Sequence, residues 1–296
     1  MGDAYRRFRN TARFILGNLY DFDPDKDRVP YEDREELDRV ALSWLAQLVE
    51  RVKRAYREYE FHLVFHRLHQ FCAVEMSAIY LDILKDRLYI SQAESPARRS
   101  AQSTLYELLF DLTRLMAPIL SFTAEEVWGY LPVPRREDSV HLAGFPESPP
   151  GFPDEKLLAK YEFLLKVRDE INRGLEEARK AKVLSTSQEA QVVLGTGDAE
   201  LFHRLSQSAA DLKILTQVAD LPPPPAAREV LDFMRTTFGP ERLVYASNWP
   251  VSERFAPLAT VQGIVVDYFH SYGRAVQEQV FAGSAKTAYR WVRRKA

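Results

Sequence analysis

Cysteine is almost missing: the 296 residues hold one, Cys72. A single thiol excludes an internal disulfide and any zinc module built on several cysteines. Its place in the apolar run Phe71-Cys72-Ala73-Val74 predicts a buried structural thiol in a reducing, cytoplasmic setting. An excess of one charge is missing too. Forty Lys and Arg stand against 42 Asp and Glu, a formal net charge of −2. No global field draws this chain to nucleic acid, so any such contact must come from local clusters. No run of about 18 uncharged apolar residues occurs, which predicts no membrane span. Tyr5-Arg6-Arg7-Phe8-Arg9 leaves no apolar stretch behind the N-terminus for a secretion signal. There is no Gly-rich phosphate loop, no G-x-S-x-G elbow and no Cys/His nucleophile pair. His62 and His66 have a helical metal spacing, but no Glu follows His62 and no third ligand stands near, so no metal site is expected.

What is present is helical periodicity. Phe8, Ala12, Ile15 and Leu19 recur at four, three and four, one face of a helix over 4–19. Arg6, Arg9 and Arg13 recur at three and four on another face. A helix over about 34–59 has Leu37, Val40, Trp44, Leu48, Val52, Ala55 and Tyr59 on its seam, and one over about 61–85 has Leu68, Cys72, Met76, Ile79 and Ile83. Ser95-Pro96 opens a helix over 96–116 with serine at the N-cap and proline at the first position. Its apolar face is Leu105, Leu108, Leu109, Leu112 and Met116. Thr123-Ala124-Glu125-Glu126 reads as a capping box that starts a short helix. These elements predict an antiparallel helical bundle over residues 1–131.

Residues 132–153 are proline-rich and mark a connection. Residues 154–182 predict another helix, with Leu157, Tyr161, Leu164, Ile171, Leu175 and Ala178 on its buried side. Then the period changes: a strand at 191–194, a turn, a helix at 199–208 and a second strand over 212–218, so 154–220 reads as a small α+β appendage. The prolines Pro222 to Pro225 cannot sit inside a helix or a central strand. Residues 221–227 are therefore a linker, and 228–296 a mixed α/β fragment with a helix at 226–237 and a strand at 242–246. The fold class is mostly α.

Phosphate binding needs cations on a rigid support, and arginine offers a planar fork that matches phosphate oxygens. The face of Arg6, Arg9 and Arg13 suits a nucleic-acid backbone. A solvated face paired with Asp21, Asp23 and Asp25 fits the same spacing. Ala97-Arg98-Arg99-Ser100 sets two arginines at a helix start, against the helix dipole.

Tyr5-Arg6-Arg7-Phe8-Arg9-Asn10-Thr11-Ala12-Arg13-Phe14 resembles the opening of the anticodon-binding domain of bacterial isoleucyl-tRNA synthetases. The resemblance continues through Leu37-Asp38-Arg39, Phe71-Cys72-Ala73-Val74-Glu75-Met76-Ser77 and Tyr80-Leu81-Asp82-Ile83-Leu84-Lys85-Asp86-Arg87-Leu88-Tyr89. It goes on in Arg98-Arg99-Ser100-Ala101-Gln102 and Ala117-Pro118-Ile119-Leu120-Ser121-Phe122-Thr123-Ala124-Glu125-Glu126-Val127-Trp128, and covers about residues 3–220. It implies a class I anticodon-binding domain that holds the anticodon stem-loop of isoleucine tRNA, with Arg6, Arg9, Arg13, Lys85, Arg87, Arg98 and Arg99 on the RNA backbone. The signatures H-I-G-H and K-M-S-K-S do not occur in the 296 residues. The expectation is therefore no aminoacylation by this chain alone. ATP and magnesium belong to a catalytic domain outside these residues, with a separate synthetase catalytic chain as one candidate partner, and this chain itself carries no cofactor and meets neither DNA nor a membrane. About 228–292 resembles the C-terminal end of a lactonase-like TIM-barrel amidohydrolase, in Phe238-Gly239-Pro240-Glu241-Arg242-Leu243, Ala246-Ser247-Asn248-Trp249-Pro250 and Ala285-Lys286-Thr287-Ala288-Tyr289. Asn248 stands where many such enzymes have the Asp that assists the attacking water, so hydrolase activity is disfavoured. The remaining alternative is an inert truncated or chimeric product.

Overall fold

A computed structural model describes residues 2–132, 137–149, 151–221, 227–243 and 258–284. The chain divides into two compact units, residues 1–166 and 167–296, with the division inside one long helix. The mostly α class holds in both. In the first unit, α1 spans Gly2–Gly17, α2 Glu36–Arg57, α3 Phe61–Phe71, α4 Leu81–Tyr89, α5 Pro96–Met116 and α6 Ser121–Tyr130, while α7 runs over Glu155–Lys180 across the division. Between α3 and α4 the chain stays helical but widens into a π-helix at Cys72–Tyr80. α2 packs on α3 and α5, and α1 on the π-helix and α5.

The expected seams form the core. Phe8, Ala12, Ile15 and Leu19 are buried, as are Leu68, Cys72, Met76, Ile79 and Ile83, and the whole apolar face of α5. Burial pushes the Cys72 thiol up to about 12, which keeps it a protonated, inert packing group. Ser95 caps α5 by accepting from the Arg98 N–H, and Asp154 caps α7 by accepting from the Leu157 N–H at 3.0 Å. Three seam positions differ from expectation, one of them Ala178 of α7, which is half-buried. Trp44 is half-buried, and Tyr59 lies just past the end of α2, 79% exposed.

The capping box at Thr123 is also corrected. α6 begins one turn earlier, because the Leu120 carbonyl already accepts the Ala124 N–H at 2.8 Å. Thr123 is thus inside the helix, and its hydroxyl meets the Tyr5 hydroxyl at 3.3 Å.

In the second unit, α8 spans Ala199–Thr216, capped by Asp198. The strand expected over 212–218 is therefore mostly the end of α8. Leu205, Ala209, Leu212 and Leu215 continue one buried helical stripe, and this periodicity outweighs local β propensity. The strand expected at 191–194 is reduced to an isolated parallel bridge between Gln191 and Asp220. Further on, α9 is Ala227–Phe238, α10 Leu258–His270 and α11 Arg274–Glu278. Leu243, Tyr268, Phe269 and Val280 form a small core of their own. Residues 222–226 of the linker, most of the strand expected at 242–246, Ala246-Ser247-Asn248-Trp249-Pro250 and Ala285-Lys286-Thr287-Ala288-Tyr289 lie outside the described residues. Among the described residues no helix is long and apolar enough to cross a membrane.

Candidate nucleic-acid interface

α1 has two chemically opposite faces. Its apolar stripe is fixed against the bundle, so the arginines on the far side stand on a rigid support. Arg6, Arg7, Arg9 and Arg13 are all exposed. At about 100° per residue, Arg13 falls roughly 20° from Arg6 around the helix, with Arg9 flanking them. Arg9 and Arg13 enter no ion pair among the described residues. Of the acids expected to pair with this face, Asp21 pairs with Arg98 at 2.6 Å and Asp23 with Lys26 at 2.9 Å.

Beside this face, α1 and the wall formed by the π-helix and α4 enclose a cleft of about 510 Å³. It is lined by Arg6, Arg7, Asn10, Thr11 and Phe14 on one side and Ser77, Leu81, Asp82 and Lys85 on the other. Lys85 pairs with Asp82 at 2.6 Å, but both are exposed, so the pair is weak and can reopen. Three cations face one carboxylate. A larger cleft of about 1070 Å³ between α2 and α5 has the opposite balance: Asp25, Glu32, Glu107, Asp111, Glu137 and Glu147 outnumber Arg28, Arg34 and Arg114. Those arginines are also held, Arg28 and Arg34 by Glu107 and Arg114 by Asp111. Of these two clefts, the smaller is the one that favours a polyanion.

Three of the arginines expected at the RNA backbone are engaged within the bundle. Arg87 donates to the fully buried Asp38 through both terminal nitrogens (3.2 and 2.6 Å) and to the Ala97 carbonyl at 2.7 Å. Arg98 holds Asp21 and the Ala93 carbonyl. Arg99 reaches the Asp21 carbonyl, Gln102, Glu94 and Asp27. Burial alone would lower the pKa of Arg87 and of Arg98, but the carboxylates of Asp38 and Asp21 outweigh it and raise both. For Asp21 burial acts upward, and the hydrogen bonds from Arg98 and Gln102 overcome it and lower it. These guanidinium groups staple the bundle's loops; moving Arg87 to a phosphate would strand the buried Asp38 carboxylate. Of the expected set, Arg6, Arg9, Arg13 and Lys85 remain on the surface. Arg7, Asn10 and Ser77 were missed. Arg7 stands in the same run but off the three-and-four spacing, so only the opposing wall reveals it. His62 and His66 are exposed, and no group of three or more His, Cys, Asp or Glu is placed to hold a metal among the described residues.

Residues 38–194, more than half of the chain, match the family described as the anticodon-binding domain of tRNA ligase. The chain belongs to the tRNA-ligase anticodon-binding family. Similar proteins include the isoleucine–tRNA ligase of Syntrophotalea carbinolica, 49% identical over 221 residues, which are 74% of this chain and 24% of that one. The isoleucine–tRNA ligase of Geobacter sulfurreducens is 50% identical over 215 residues (73% and 23%), and that of Persephonella marina 51% over 200 (67% and 21%). The chain thus spans about a quarter of the length of these relatives. Residues 199–291 match an amidohydrolase family, a segment that starts earlier than the resemblance over 228–292 and takes in α8. Within the anticodon-binding family's words, Asp38, Tyr80, Arg87 and Ser100 meet at one point. The Tyr80 hydroxyl donates to Asp38 at 2.7 Å, and the Ser100 hydroxyl donates to its other oxygen. In this chain those words carry part of the bundle's internal wiring.

Proposed function

We propose that residues 1–166 bind the anticodon stem-loop of isoleucine tRNA, as the anticodon-binding part of an isoleucine–tRNA ligase. The observation that supports this most directly is the α1 surface. Four exposed arginines sit on one buttressed helix beside a cleft whose cations outnumber its acids, in a chain with no net positive charge. The phosphate contacts are Arg6, Arg7, Arg9, Arg13 and Lys85. Phosphate contacts fix position and carry no sequence information, so identity must be read elsewhere.

In this reading residues 1–131 are the RNA-binding bundle, 132–153 a connection, 154–220 a junction and 221–227 a linker to the amidohydrolase-like 228–296. The protein works in the cytoplasm. This anticodon-binding part needs no metal or cofactor of its own; ATP and magnesium act at the ligase's catalytic domain, outside these 296 residues. No hydrolase activity is assigned to the tail.

The test replaces Arg9 and Arg13 by Gln and measures affinity for isoleucine tRNA at several salt concentrations. Each lost phosphate contact should reduce the log–log salt slope by about 0.7–0.9, nearly equally for any tRNA sequence. An unchanged slope with the fold intact returns this face to solvent. An absence of binding by the unaltered chain supports an inert product instead.

A further inference from the structure

The turn between α2 and α3 is a complete Schellman motif. The Glu60 N–H donates to the Ala55 carbonyl at 2.8 Å and the Tyr59 N–H to the Tyr56 carbonyl at 3.2 Å. The residue in the left-handed position is Tyr59, with φ 58°. Gly or Asn fits that position, and a bulky ring there is costly. The other non-Gly residues with positive φ among the described ones, Lys182 and Gln217, carry flexible polar chains. Tyr59 carries a ring that gains almost no burial in return.

That ring is nevertheless well placed. It stands edge-on to Phe61 with centroids 6.1 Å apart, Phe61 stands edge-on to Tyr56 at 6.2 Å, and Tyr56 lies tilted on Phe145 at 5.2 Å. Tyr56 anchors the series by donating from its hydroxyl to the Leu115 carbonyl at 2.9 Å. The series thus runs from a half-buried, hydrogen-bonded ring to an open outer one. Two more features share this end of α2. Arg54 and Arg57 are exposed in its last turn, and neither enters an ion pair among the described residues. An open π face beside two unpaired guanidinium groups matches an unpaired nucleobase and its phosphates. Every base has a π face to stack, and arginine supplies the charge.

We propose that Tyr59, seated on Phe61, is a stacking platform for an unpaired base of the bound RNA, with Arg54 and Arg57 holding the adjacent phosphates. This rests on the RNA-binding reading above and adds a base contact to its phosphate contacts.

The test compares Tyr59→Gly and Tyr59→Phe, in the full chain, for isoleucine tRNA binding at two salt concentrations. Gly relieves the backbone, so the melting temperature should hold or rise while affinity falls about tenfold or more. The salt slope should not change, because no phosphate contact is lost. Phe keeps the π face and should keep the affinity. With 2-aminopurine placed at single-stranded positions of the tRNA, one position should show fluorescence quenched by the unaltered chain and not by Tyr59→Gly. If Tyr59→Gly binds as tightly as the unaltered chain while the Arg9/Arg13 double variant is weakened, the platform is overturned and the α1 reading stands. If the unaltered chain binds no RNA, both fall. If Tyr59→Gly keeps RNA affinity but loses association with a synthetase catalytic chain, the ring is a protein contact and the proposal fails.

Discussion

Arg34 buries its guanidinium almost completely and donates to both carboxylate oxygens of Glu107, at 3.0 and 2.8 Å. Burial acts to raise the Glu107 carboxyl, but Arg34 and Arg28 outweigh it and hold it below its ordinary 4.5. A carboxyl lowered in the folded state contributes stability that is fully present above its unfolded value and is lost as pH falls through its folded value. Glu107→Gln should therefore destabilise the first unit at pH 7 by about 2–3 kcal/mol, below the usual cost of breaking a buried pair because Glu107 keeps some solvent contact. In acid the gap to the unaltered chain should close. Thermal melts at pH 7 and pH 3 decide it, and an equal gap at both would place the loss outside the ion pair. Such pairs were invisible in the sequence. Arg98 and Asp21 stand 77 residues apart, and spacing on one helix says nothing about a partner on another. Tyr59 was hidden for a different reason. It continues the seam spacing of α2, and the spacing does not show that the helix stops two residues before it.

The π-helix explains how α3 and α4 keep one seam. Leu68, Cys72, Met76, Tyr80, Leu84 and Leu88 are all buried and recur every four residues. An α-helix turns in 3.6 residues, so a spacing of four drifts around it by about 40° per step. A π-helix turns in about 4.4, and the same spacing drifts the other way. Inserting Cys72–Tyr80 between two α segments cancels the drift. Helix existence and the core faces were legible in the sequence because periodicity carries them. The π segment was not, because a run of fours reads as helix of either kind. Caps split the same way. Asp154 accepts from the first turn of α7, whereas Thr123 caps nothing. Asp154→Ala should cost about 1 kcal/mol and Thr123→Ala should stay within about 0.5 kcal/mol. Urea titrations of both would show the contrast, and equal losses would restore a capping role to Thr123.

With two compact units, the molecule should unfold in two steps. The tail reaches the body of its own unit: a side chain at Gly197 would collide with Ile264. A truncation after Asp220 should leave the first transition unmoved and lower the second, as read by calorimetry; a lowered first transition would make the tail part of the bundle's support. The 296 residues alone should give no isoleucine-dependent pyrophosphate exchange above a no-enzyme control, since neither H-I-G-H nor K-M-S-K-S occurs among them and nothing in the α1 cleft cradles a nucleotide's phosphates as a Gly-rich loop does. Exchange above that control would overturn this. The bundle itself has one more property, set by Asp38. Its carboxylate is completed only when Tyr80, Arg87 and Ser100 arrive together from the π-helix, α4 and α5. A helix slipped by one turn moves its donor by about 5.4 Å and leaves a buried charge unanswered. Asp38 thus works like the check digit of a long number. It adds little to the total, but it rejects nearly every copy in which one digit has shifted.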